Sequence, residues 1–136
     1  MADGRSSLTE AIGYAGKPAP VWQRLRFDAQ QQAQQESALA SYLNATVLNH
    51  ESFAEALSYH LAQKAGGPDM NALAIREICA DAYRTAPEIV AAAERDLQAV
   101  LDRDPATRST LQPFLFFKGF LALQTHRIGH WLWGQG

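Results

Sequence analysis

The sequence has one cysteine, no secretory signal core and no surplus of positive charge. Each shortage removes a class of protein. A lone Cys79 cannot form an intramolecular disulfide and suits a reducing compartment. A membrane-spanning helix needs roughly 18 consecutive apolar residues, and charge or strong polarity interrupts every apolar stretch here sooner. Twelve Lys and Arg against fourteen Asp and Glu leave a net charge of −2. Nucleic-acid surfaces are usually basic and clustered, whereas these cations are scattered among acids. The N-terminal MADGRSSLTEAIGYAGKPAP lacks the apolar core of a signal peptide. These shortages predict a cytoplasmic protein with no nucleic-acid and no membrane partner. There is also no Gly-rich phosphate loop, no G-x-S-x-G elbow and no H-E-x-x-H pair.

What is present is helical periodicity. Alternation with period two never persists long enough for a strand. A length of 136 residues suits one domain with its own core. Residues 1–20, rich in Gly, Ser, Ala and Pro, read as a disordered or loosely attached arm, and residues 21–136 as one helical domain. Trp22, Leu25 and Ala29 mark one face of a first helix, which continues into a solvated Gln-rich run. Ser37–His50 reads as a second helix. Ser52 and Glu55 form a capping-box pattern before a third, which Gly66-Gly67-Pro68 ends. Asp69 is the expected N-cap of a fourth helix, carrying Leu73, Ile75, Ile78, Cys79 and Tyr83. Pro87 opens a fifth, with Arg95, Asp96, Asp102 and Arg103 expected on its wet face. Pro113 is expected to open a last helix. The predicted fold is all-α, a compact helical bundle of about six to eight helices.

Few residues offer chemistry. His126 and His130 share a helix face, as half of a zinc arrangement would. The missing half, with no cysteine cluster and no acidic third ligand on that helix, leaves no metal site assigned. They read instead as polar groups hydrogen-bonded at a helix interface. Cys79 lies in an apolar stripe and reads as a buried structural thiol. Trp131-Leu132-Trp133 reads as a core or subunit contact. Gly119 and Gly129 are expected where another backbone approaches closely. Arg103-Asp104-Pro105 keeps two readings open. The charges either fix the turn, or Asp104 presents a carboxylate at a loop tip to a cationic amine or a hydroxyl.

The runs LQAVLDRDPA and PFLFFKGFLALQTHRIGHWLW, preceded by ASYLNATVLNHESFAEALSYHLAQK and AIREICADAYRTAPEIV, resemble the amino-terminal helical domain of bacterial serine acetyltransferases. The likeness extends from about Val21 to Gly136. It implies a parent enzyme that acetylates the hydroxyl of L-serine with acetyl-CoA for cysteine synthesis. In that family a left-handed β-helix of hexapeptide repeats carries the general-base histidine, its aspartate partner and the acetyl-CoA cleft. That region is absent from this chain, so the resemblance implies no catalytic residue, no bound cofactor and no activity for the 136 residues alone. It implies one substrate-binding residue, Asp104, which matches the aspartate that helps bind serine and the feedback inhibitor cysteine. His126 departs from the tyrosine common there. Implied partners are further copies of the chain, paired through helical domains into a dimer of trimers, and O-acetylserine sulfhydrylase for the full-length parent. The alternative is a stand-alone helical oligomerisation or interaction protein without catalysis.

Overall fold

Polar caps and two prolines cut the chain into its helices. The computed structural model describes residues 19–104 and 109–135, and all regular structure among them is helical, as expected. In chain order these are α1 (Val21–Gln35), a 3₁₀ turn (Ser37–Leu39), α2 (Ala40–Leu43), a π-helical turn (Asn44–Leu48), α3 (Phe53–Ala65), α4 (Ala72–Thr85), α5 (Pro87–Arg103), α6 (Leu111–Phe116) and α7 (Lys118–Gly134). The expected arm, residues 1–20, lies outside the described residues except for Ala19, which is buried, and Pro20, which is exposed. No helix is long and apolar enough to cross a membrane among the described residues.

α1 buries Val21, Leu25 and Ala29, one residue per turn, while Gln30, Gln31, Gln34 and Gln35 face solvent. The single helix expected over 37–50 is instead three geometries in succession. The π turn widens the helix so that Thr46 and Val47 are both buried beside Leu43. Such widening frees backbone carbonyls, and the His50 ring donates from Nε2 to the Ala45 carbonyl at 2.8 Å. His50 is thereby drawn inside, and Arg26 of α1 donates to its carbonyl at 3.3 Å.

α3 begins as its capping box predicts. Ser52 Oγ accepts from the Glu55 N–H at 3.1 Å, and the Glu55 carboxylate accepts from the N–H of Glu51 at 2.7 Å. Gly66 ends the helix where α4 comes close. A Cβ there would stand 2.9 Å from the Ala62 carbonyl oxygen and 3.1 Å from Ala72 Cβ. The cap of α4 is Asn71, not Asp69: its Oδ1 accepts from Ala74 N–H at 2.8 Å. A turn closed by Gly67 N–H on the Met70 carbonyl at 3.0 Å spans Asp69 and delays the helix start. α3 against α4 is the most extensive helix contact, and Pro87 opens α5 at its first residue.

The last apolar run is two helices, not one from Pro113. Phe117 is extended, at φ −76° and ψ 108°, between α6 and α7. Pro113 sits in the first turn of α6, where a missing N–H costs little because no helical acceptor precedes it. The break lets Phe114, fully buried, enter the core from a different direction than α7. There it meets Phe53 at 5.9 Å, Phe120 at 6.4 Å and the His60 ring, stacked at 5.2 Å between centroids. α7 then lies across α4 and α5. Gly119 and Gly129 are exposed, and nothing lies within 4 Å of an added Cβ at either. The close backbone approach expected at these glycines is therefore not found within the chain.

Candidate functional site

α5 runs out at Arg103, and Asp104 is its C-cap. The Asp104 N–H still donates to the Val100 carbonyl at 3.2 Å, but its backbone is extended, at φ −117° and ψ 93°. Pro105 follows, and a residue before proline is pushed out of the helical region. Asp102, Arg103 and Asp104 are all exposed. Residues 105–108 lie outside the described residues. The chain re-enters at Ser109 and Thr110. Thr110 donates twice to Asp28 Oδ2 of α1, from its N–H at 2.8 Å and its hydroxyl at 2.7 Å. Ser109 Oγ accepts from the Leu111 N–H at 3.0 Å. One side of the RDPA turn is thus tied to α5 and the other to α1.

Charges of both signs meet at this tip, with exposed Arg103 between two carboxylates. The C-terminal end of a helix carries a partial negative charge, and Asp102 and Asp104 add two carboxylates to it. Asp102 also accepts from the Gln98 amide at 2.9 Å. Beside the tip, between α5 and α7, opens a groove of about 760 Å³ lined by Val100, Arg103, Phe117, Lys118, Phe120 and Leu123 among others. A polar cluster closes one part of it. Asp96 is not on the wet face expected for it: Gln124 Nε2 donates to Asp96 Oδ2 at 2.8 Å, and Arg127 pairs with the same carboxylate. Arg127 also donates to Gln124 Oε1 at 2.9 Å, and Gln124 is only 1% exposed. Burying that amide is tolerable because both of its ends are satisfied.

The other candidate groups are inert or misplaced for chemistry. Cys79 is buried, and desolvation pushes its thiol up to about 11, so it is neither thiolate nor nucleophile near neutral pH. His60 is 2% exposed, and its Nε2 donates to the Leu115 carbonyl at 2.9 Å. Desolvation lowers the affinity of its ring for a proton, Leu115 opposes that, and Lys64 adds to it. His126 and His130 are exposed on α7, not hydrogen-bonded at an interface. Trp131 packs against the core while Trp133 is 88% exposed. Among the described residues no three His, Cys, Asp or Glu side chains gather where they could hold a metal ion together.

Sequence reasoning singled out Asp104 and gave no sign of the Asp28–Thr110 contact or of the Asp96–Gln124–Arg127 cluster. Asp28 meets Thr110 across 82 positions, and Asp96 meets Arg127 across 31. The one local signal was position: Asp28 stands beside Ala29 on the buried stripe of α1.

Residues 21–125 match the family of serine acetyltransferase N-terminal domains. The chain is 50% identical to the serine acetyltransferase of Escherichia coli K12 over 116 residues, which is 85% of this chain and 42% of the relative. Two solved serine acetyltransferases, one in complex with cysteine and one with CoA, are each 45% identical to it. They superpose with TM-scores of 0.82 and 0.81, over 85% of this chain and 48% and 49% of theirs. The chain thus spans less than half the length of these relatives. The helical fold agrees with theirs over 85% of the chain, and the chain belongs to the serine acetyltransferase family.

Proposed function

We propose that this chain is the helical part of a serine O-acetyltransferase and that Asp104 helps to hold the amino-acid substrate. The observation that carries the reading is the exposed carboxylate at the negative end of α5, in a family whose named substrate bears an ammonium and a hydroxyl. A carboxylate accepts hydrogen bonds from both. In the reaction, a base removes the serine hydroxyl proton as the oxygen attacks the thioester carbonyl of acetyl-CoA. The new C–O bond forms, the C–S bond breaks, and CoA leaves as its thiol. The base and the acetyl-CoA cleft belong to the remainder of the parent. Among the described residues, the buried His60 and Cys79 cannot reach a substrate.

The cysteine complex of a 45% identical relative supports extending the site to cysteine, whose ammonium and carboxylate match those of serine. The test is steady-state kinetics of Asp104→Ala in the full-length parent. Loss of one charge-assisted hydrogen bond is worth about 1.5–3 kcal/mol. That is about a ten- to hundredfold loss in kcat/KM for serine, with the KM for acetyl-CoA little changed and cysteine inhibition weakened in parallel. Unchanged serine kinetics would reduce Asp104 to a turn residue. The 136-residue chain alone, given serine and acetyl-CoA, is expected to release thiol at background rate.

The chain's second task is assembly with further copies. Leu123, Leu132, Trp133, Phe116 and Phe117 are each at least 38% exposed, and grouped apolar surface marks interfaces. An isologous pairing buries the same patch on both copies. Light scattering at tens of micromolar is expected to give more than a monomer mass. The dimer of trimers and the sulfhydrylase partner belong to the full-length parent.

A further inference from the structure

The outward face of α7 carries two imidazoles that neither the groove nor the core uses, flanked by Leu123 and Trp133 of the assembly patch. Leu123, His126, His130 and Trp133 are all exposed, and at 100° per residue they fall within about 80° of arc. Phe120, Gln124 and Ile128 occupy the buried side. At the centre of the row the two imidazoles stand one turn apart, 24° from parallel, with centroids 6.4 Å apart.

The geometry points to a two-point chelate for a late first-row divalent cation at His126 and His130. Side-by-side rings share one ion at a cis or tetrahedral angle when their centroids come to about 5 Å, given metal–nitrogen bonds of about 2.1 Å. The observed separation of 6.4 Å is somewhat wider, and the two exposed side chains can close it by changing rotamer without disturbing the core. Neutral imidazole suits copper, nickel and zinc. Once one ring holds the ion, the second binds it intramolecularly, at high effective concentration. The cation between the two rings in sequence, Arg127, does not oppose the metal: it is turned inward and paired with Asp96. The protein supplies two ligands and solvent completes the shell. The site is independent of the serine reading, since neither His126 nor His130 lines the groove beside the α5 tip.

The test titrates the 136-residue chain with Cu(II), and separately with Ni(II), by calorimetry, beside His126→Gln, His130→Gln and the double variant. Wild type is expected to take up the ion at least tenfold more tightly than either single variant. The double variant is expected to lose that binding, and the copper spectrum of wild type to show two nitrogen donors. His126→Tyr, which keeps an aromatic ring at the position, is expected to match His126→Gln. Melting temperatures of the metal-free variants should equal that of wild type, because both rings are exposed. Equal affinity in wild type and either single variant would overturn the proposal. So would tight binding that survives in the double variant.

Discussion

α3 and α7 are both rich in apolar residues, yet they are used in opposite ways. Of the 13 residues of α3, seven are buried, including Ser58 and His60. Of the 17 residues of α7, three are buried: Phe120, Gln124 and Ile128. α3 is enclosed by the π turn, α4 and the aromatic ring of Phe114. α7 is held on one side only, by α4 and α5, and keeps Leu132 and Trp133 in solvent. Apolar composition therefore does not decide burial. The extent of coverage does: α3 meets α4 far more extensively than α7 meets any element, and α7 keeps apolar surface exposed.

The sharpest way to break this contrast is a matched truncation. Leu57 on α3 is fully buried, whereas Leu132 on α7 is 46% exposed. Leu57→Ala is expected to cost about 2–5 kcal/mol, the usual range when a cavity opens in a packed core. Leu132→Ala is expected to cost less than about 0.5 kcal/mol, as surface changes do. Urea unfolding of both variants at low concentration measures the difference. A similar cost at both positions would mean that α7 is already covered, and a cost for Leu132→Ala that grows with protein concentration would identify a second copy as the cover.

A smaller effect tests how α7 is held at all. Asp96 on α5 is the acceptor for both Gln124 and Arg127. Asp96→Ala leaves the Gln124 amide buried without that acceptor, a loss of about 1–3 kcal/mol. Because the Asp96 and Arg127 side chains are each 25% exposed, solvent can recover part of it. Asp96→Asn, which keeps an acceptor for Gln124, is expected to cost less than Asp96→Ala. Equal losses would place the stabilisation in the charge pair and not in the amide. Thermal melts of the two variants separate the cases.

Local rules made much of this molecule readable before any coordinates. Ser52 with Glu55, Gly66 and Pro87 act within one turn of chain, so their effect shows in neighbouring residues. The all-α class followed from periodicity for the same reason. What could not be read depends on distant partners. The π turn at Asn44–Leu48 exists because Thr46 and Val47 both find core to occupy, and the break at Phe117 because Phe114 fits between Phe53 and His60. The expected faces of Asp96 and the two exposed histidines failed likewise: which side of an amphipathic helix is covered depends on what docks there. The motif that singles out Asp104 was readable because its residues are contiguous in the sequence. Its counterpart Asp28 was not, since Thr110 reaches it only in the folded chain.

The smallest expected effect concerns acid. His60 on α3 and His126 on α7 differ in environment: His60 is enclosed, while His126 is in solvent. Burial is the main cause that holds the His60 ring below its ordinary 6.5. Between that lowered native value and the ordinary one, the unfolded chain binds a proton that the native chain refuses. Stability therefore falls as pH drops through this window. Above about 6.5 neither state is protonated at this ring, and its contribution is fully present. Once pH falls below the native value, both states are protonated and the contribution is lost. The slope from one proton cannot exceed about 1.4 kcal/mol per pH unit. His60→Gln, whose amide can still donate to the Leu115 carbonyl, is expected to flatten the fall of unfolding free energy below about pH 6.5. Parallel profiles for wild type and His60→Gln would show that the enclosed ring titrates as if it were in water, and the contrast between the two helices would then not extend to their histidines.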